Sequence, residues 1–164
     1  MYTVGILVLS DKGARGERED LSGPAIAACL NKDKFNIVYH EIIADDVERI
    51  SKELIFLCDE VKPNLLLTTG GTGFSKRDNT PEATKAVIEK VVPGIAEAIR
   101  YFGMQKTPKA MLSRGVSGIR KDTLIINLPG SVRGVKESLE IVLPVLDHAL
   151  DILSGEATEC GKIK

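Results

Sequence analysis

Apolar residues along this chain come in two kinds of run, and the kinds alternate. Thr3 to Leu9, Asn64 to Thr69 and Thr123 to Leu128 are short, rich in leucine or β-branched residues and nearly free of charge, the pattern of strands covered on both faces. Phe35 to Ile43 reads the same way with more polar interruption. Between these runs, Gly23 to Asn31, Asp46 to Glu60, Pro81 to Lys90, Pro93 to Phe102 and Ser131 to Leu153 carry apolar residues at helical spacing. Alternation of strand and helix predicts an α/β fold, a three-layer α/β/α domain with a mostly parallel central sheet. Ligands of such sheets gather beyond the carboxyl ends of the strands. The loops after Leu9, Thr69 and Leu128 are therefore where chemistry is expected.

In the last helix Val135, Leu139, Val142, Leu143, Leu146, Ala149, Leu150 and Leu153 recur at helical spacing, a stripe that is core or subunit interface, and Pro144 inside it predicts a kink or a break. Neither a repeat nor a linker interrupts the chain. Residues 1–155 read as a single domain and the charged end, 156–164, as a tail.

The loop after the third apolar run is the most distinctive segment, LLLTTGGTGFSKRDNTPEATKAV from residue 65 to 87. Gly70, Gly71 and Gly73 remove Cβ atoms where the strand turns, permitting positive φ and close approach of backbone N–H groups to an anion. Thr80-Pro81-Glu82 supplies a helix cap, a proline at the first helical position and an acid in the first turn, so the positive end of the next helix faces the loop. Such a loop suits a phosphate, although a glycine turn also serves simply to bend the chain. It matches neither GxxxxGK[ST] nor GxGxxG. Lys76 and Arg77 add donors. Asp78 is the anomaly, because a carboxylate 4 Å from a phosphate charge is repelled by about 4 kcal/mol at an effective dielectric near 20. A divalent cation reverses that sign, and hard Mg²⁺ binds through one or two carboxylates plus substrate phosphates. Asp45 has a similar context just past a strand, where spacing alone favours a capping role with Glu48.

Composition narrows the classes. The chain has 164 residues, 43% hydrophobic and 27% charged, with a formal net charge of −1. That length buries roughly 70% of the unfolded surface without staples. The charge gives no global pull toward nucleic acid or an anionic membrane. Cys29, Cys58 and Cys160 are widely spaced and have no histidine at ligand spacing, so they read as reduced core or tail residues. The first apolar run is too short for a membrane span, which leaves a cytoplasmic protein as the expectation. His40 and His148 read as partly buried structural histidines.

At TTGGTGFSKRDNTPEAT the chain resembles the molybdopterin-binding family of Mog/MoaB-type proteins and the gephyrin G-domain. The resemblance continues in VGILVLSDKGARGEREDLSGP, in MLSRGVSGIRKDTLIINLPGS and in KESLEIVLPVLDHALDILSG, nearly the whole chain. It implies a compact, usually trimeric α/β domain acting in molybdenum cofactor biosynthesis, a nucleotidyltransferase that adenylylates molybdopterin with Mg-ATP and releases pyrophosphate. Residue by residue, it implies catalytic and Mg²⁺-holding roles for Asp45 and Asp78. Substrate and nucleotide contacts are implied for Gly70, Gly71, Thr72, Gly73 and Arg77. Ser10 and Asp11 match the family's Ser-Asp at the pocket edge, which is also readable as a plain turn. Ser113, Arg114, Ser117 and Gly118 match a segment where polar groups meet substrate, while Arg120 and Lys121 also read as a solvated hairpin turn. Pro129 and Gly130 match the turn opening the last helix, where Val132-Arg133 replaces the family's usual proline. ATP is implied as co-substrate, and other cofactor-biosynthesis proteins as partners. The alternatives are a non-catalytic molybdopterin-binding protein of the MoaB type and a nucleotide-processing relative of the competence-associated branch. The choice of molybdenum or tungsten need not be made at the adenylylation step, so the resemblance does not distinguish those pathways.

Overall fold

A computed structural model describes residues 1–156. Strands β1 (Tyr2–Leu9), β2 (Phe35–Ile43), β3 (Leu65–Thr69), β4 (Lys90–Val91), β5 (Ser117–Arg120) and β6 (Thr123–Leu128) form one six-stranded sheet in the order β2-β1-β3-β6-β5-β4. β2, β1, β3 and β6 run parallel, while β5 is antiparallel to both β6 and β4. All five residues of β3 are buried, as an interior parallel strand requires.

The helices are α1 (Asp11–Ala14), α2 (Ser22–Cys29), α3 (Val47–Phe56), α4 (Thr80–Val87), α5 (Pro93–Lys106) and α6 (Val132–Ser154). Alternation along β1 sorts the core into two halves. Val4, Ile6 and Val8 pack with Ile26 of α2, Ile99 of α5 and the α6 stripe, whereas Leu7 and Leu9 pack with Ile50 and Leu54 of α3 and with Ala83 and Val87 of α4. The expected three layers are thus present. Burying a leucine or isoleucine of this kind contributes about 1.5–3 kcal/mol.

Several boundaries differ from expectation, each for a physical reason. α3 is capped by Asp46, whose Oδ1 accepts from Arg49 N at 2.8 Å, not by Asp45, and beyond Phe56 it widens into a π turn over Leu57–Val61. α4 stops at Val87 because Lys90 and Val91 leave it to pair with Ile119 and Gly118 of β5. α6 runs unbroken through Pro144. The proline lies on the exposed side, while Leu139, Val142 and Leu146 hold the opposite face in the core. His40 and His148 are exposed rather than partly buried. Cys29 and Cys58 are free thiols, and burial pushes the Cys58 thiol up to about 11, which leaves it inert at neutral pH. Cys160 and all of the expected tail beyond Glu156 lie outside the described residues.

Candidate functional site

The chain reverses direction across the sheet at β1. It leaves β1 for β2 on one side, then returns to β3 on the other, so β1 and β3 diverge at a topological switch point. Register keeps the strand ends level, with Leu9 opposite Ile43, Val8 opposite Thr69, and Thr69 opposite Leu128. The segments that begin at Ser10, Ala44, Gly70 and Pro129 therefore converge on one edge.

Gly70 and Gly71 have φ of 96° and 67°, a region L-residues enter at a cost. A Cβ on Gly70 would collide with Leu9 O, and one on Gly71 with Thr80 Oγ1. Gly73 has a different reason, because its Cβ would lie 2.9 Å from Asp78 Oδ2. Thr80 does not cap α4 as expected. Its hydroxyl donates to Gly70 O at 2.9 Å, tying the loop to the helix, and the N-cap is Asn79, which makes no side-chain cap bond. Asn79 Nδ2 instead donates to Asp45 O at 3.2 Å. Beneath the loop, buried Asn127 donates to Thr68 Oγ1 and Thr84 Oγ1, and Thr84 donates to Thr80 O. Pairing of these buried groups stiffens the floor of the site.

Two aspartates are locked reciprocally. Asp11 N–H donates to Asp45 Oδ2 and Asp45 N–H donates to Asp11 Oδ1, both at 3.0 Å. Asp11 also takes the Arg77 fork, Nε at 3.0 Å and Nη2 at 2.9 Å, and that guanidinium holds its carboxyl below the usual range. Asp45 Oδ1 is buried with no partner. Burial foremost, then the neighbouring Asp11 and Asp78 charges, raises the Asp45 carboxyl above its ordinary value, against the lowering effect of the Asp11 N–H and Arg77. Asp45 and Asp78 line one cleft of about 260 Å³ with Gly70, Gly71 and Gly130. Among the described residues no group of three or more His, Cys, Asp and Glu is arranged to hold a metal alone. A buried carboxylate oxygen lacking a partner, beside a second carboxylate, does fit a hard cation that completes its shell with water and phosphate oxygens.

The remaining expected residues divide. Ser10 borders the cleft, but its Oγ accepts from Gly13 N at 3.0 Å, so its side chain makes the turn. Thr72, Gly73, Ser113 and Pro129 line a second recess of about 370 Å³ on the other side of the glycine loop. Arg114 is turned into the protein, paired with Glu82 and with backbone carbonyls. Ser117 and Gly118 are buried within β5, and the Ser117 hydroxyl donates to Val92 O at 2.6 Å. Arg120 lies opposite Thr123 at the far end of β6 and pairs with Asp59 at 2.8 Å, so it forms the shoulder of a hairpin away from the cleft, whose turn residues Lys121 and Asp122 are solvated as expected. Sequence reasoning missed Asn79, and also Arg18 and Asp20, which border the cleft on the segment before α2. Asp20 accepts from Ser22 N and Gly23 N at 3.0 and 2.9 Å and lies 3.1 Å from His40 Nε2. Its position just before a Ser-Gly-Pro helix start was the available signal.

Known proteins resemble this chain in sequence and in fold. The family model of a probable molybdopterin binding domain matches residues 5–148. A molybdopterin adenylyltransferase of Helicobacter pylori is 44% identical over 154 residues, covering 93% of this chain and 88% of that protein. The crystal structure of the molybdopterin biosynthesis enzyme MoaB from Thermus thermophilus superposes with a TM-score of 0.90 at 50% identity, covering 94% of this chain and 98% of that one. The molybdopterin biosynthesis Mog protein of Mycobacterium ulcerans gives 0.86 at 40% identity, covering 93% and 99%. On sequence over most of its length and on fold, the chain belongs to the molybdopterin-binding domain family.

Proposed function

We propose that this chain is a molybdopterin adenylyltransferase, transferring AMP from Mg-ATP to molybdopterin in molybdenum cofactor biosynthesis. The unpartnered, buried Oδ1 of Asp45 carries the reading, in a cleft shared with Asp78 and the glycine loop. An uncompensated carboxylate is costly to keep unless a ligand completes it.

In the reaction a terminal phosphate oxygen of molybdopterin attacks the α-phosphorus of ATP. The bond from that phosphorus to its bridging oxygen breaks, and pyrophosphate leaves with the electron pair. A phosphate monoester has its second pKa near ~6 and is largely dianionic at neutral pH, so the nucleophile needs no general base. What the protein must supply is alignment and neutralisation of charge. Asp45 and Asp78 would hold Mg²⁺, which supplies positive charge to the phosphate oxygens. Asp11 keeps Asp45 oriented through the reciprocal bonds. The Gly70–Gly71 turn leaves the main chain bare of Cβ atoms beside that position. Two recesses, one lined by Gly70 and Gly71 and the other by Thr72 and Gly73 of the same glycine loop, suit a reaction that joins two substrates.

A cytoplasmic homotrimer is part of the same reading. Tyr101 and Phe102 of α5, with Met111 and Leu112 of the adjoining turn, are 60%, 47%, 58% and 47% exposed, an apolar surface of the kind that subunits cover. Among the described residues no helix is long and apolar enough to cross a membrane.

The proposal is tested by incubating the protein with molybdopterin and ATP labelled at the α-phosphorus. Label appearing on the pterin supports it. Pterin binding without label transfer would instead favour the non-catalytic binding protein.

A further inference from the structure

Resting on that reading, we infer that Arg114 is a positioning residue that sets the place of Asp78 by stapling the two ends of the Gly73–Asp78 loop, and that it makes no contact with phosphate. Arginine offers five N–H donors in a fixed planar fork, and here all three nitrogens are engaged. Nε donates to Gly73 O at 2.7 Å and Nη2 to Asp78 O at 2.7 Å, so one guanidinium bridges the carbonyls at the first and last residues of the segment. Nη1 pairs with Glu82 in the first turn of α4. The main-chain N–H of Arg114 donates to Thr72 O at 2.9 Å, continuing the grip one residue upstream.

The anchor is itself held. Arg100 Nη1 on α5 donates to Gly115 O at 2.8 Å, and Val116 N donates to buried Asn127 Oδ1 at 3.1 Å, which fixes the residues that follow Arg114. The stapled segment has little else to fix it. Phe74 is 72% exposed, Ser75, Lys76 and Arg77 are exposed, and within the segment Asp78 accepts from Ser75 N and donates to Ser75 O at 2.9 and 3.0 Å. These last bonds shape a small turn but do not tie it to the scaffold. Outside it, Arg77 reaches Asp11 through a side chain that is itself 56% exposed, and Asn79 reaches Asp45 O. The Arg114 fork is therefore the direct link between Asp78's own main chain and the body of the protein. A lysine would keep the charge but, as a point donor on a flexible stem, would not bridge two carbonyls and a carboxylate in one plane.

The test uses Arg114→Ala, Arg114→Lys and Glu82→Gln with two readouts. The first is amide hydrogen exchange of residues 73–79 in the protein without substrates; the second is kcat and KM for Mg-ATP and molybdopterin. Exchange over 73–79 is expected to rise in Arg114→Ala and Arg114→Lys, with β1 and β6 unchanged. With it kcat should fall about 100-fold, the scale of a misplacement near 1 Å, while both KM values move less than about threefold, as for an interaction felt mainly in the transition state. Glu82→Gln should give a smaller effect of the same kind, and it serves if the Arg114 variants fail to fold. A raised KM for Mg-ATP with kcat retained would make Arg114 a phosphate contact and overturn the inference. Unchanged exchange over 73–79 in the folded Arg114 variants would overturn it equally. A wild-type protein without turnover would sink the adenylyltransferase reading, and the exchange measurement would still decide the staple.

Discussion

Asp11 and Asp45, 34 residues apart in sequence, exchange backbone-to-carboxylate hydrogen bonds in both directions at 3.0 Å. The pair joins the end of β1 to the end of β2 and fixes one Asp45 oxygen, Oδ2, on Asp11 N–H. It leaves the other, Oδ1, buried and unpartnered. A carboxylate is thus held rigidly with one oxygen unspent, a state that serves ligand binding better than it serves stability.

Asp45→Asn should be more stable than the wild type at neutral pH, by about 1 kcal/mol, because it removes an uncompensated buried charge. Burial raises the folded-state value of Asp45 above an unfolded value near ~3.9. Its contribution to stability is therefore fully present below that unfolded value and is lost as pH rises through the raised folded one. The advantage of Asn should accordingly narrow as pH is lowered through the raised value. Denaturant unfolding of both proteins across pH measures this, and an Asn variant less stable at pH 7 contradicts it.

Asp78→Asn should fold normally and lose most of its turnover. The amide oxygen of Asn can still accept from Ser75 N, the bond Asp78 Oδ2 makes at 2.9 Å, so stability should shift by no more than about 0.5 kcal/mol. Removing the charge at the reacting phosphates should cost roughly 100-fold to 1,000-fold in kcat. Near-normal turnover in the folded variant would remove Asp78 from the mechanism.

Gly71→Val should abolish Mg-ATP binding, read by titration calorimetry. The left-handed backbone at φ 67° costs a substituted residue about 1–2 kcal/mol. Its Cβ would collide with Thr80 Oγ1 and come within 3.1 Å of Asp45 Oδ1, so the side chain would occupy the space beside the acid. Unimpaired binding would reduce the loop to a bend in the chain.

Much of the fold was legible because burial imposes pattern. β2 and β6 were found to the residue, since Phe35–Ile43 follows Lys32-Asp33-Lys34 and is itself followed, after Ala44, by Asp45-Asp46, and Thr123–Leu128 lies between Asp122 and Pro129. β4 and β5 were not found, because segments of two and four residues carry no periodicity. Asp45 and Asp46 are both good caps by type, and only the distant partner Asp11 decides that Asp46 takes the helix. The glycine loop and its acids were visible from their resemblance and spacing. The direction of Arg114 was not, because a sequence names a cation without naming the anion or carbonyl it will meet. Pro144 misled for the same reason: the helix through it is held by a buried stripe rather than by its own backbone bonds alone.

The central claim is adenylyl transfer, and the most direct measurement is pyrophosphate release from Mg-ATP with and without freshly prepared molybdopterin. Release that requires both the pterin and Mg²⁺, and that disappears in folded Asp78→Asn, is the predicted result. No release from a preparation shown to bind molybdopterin would contradict the account and make the glycine loop a docking site alone.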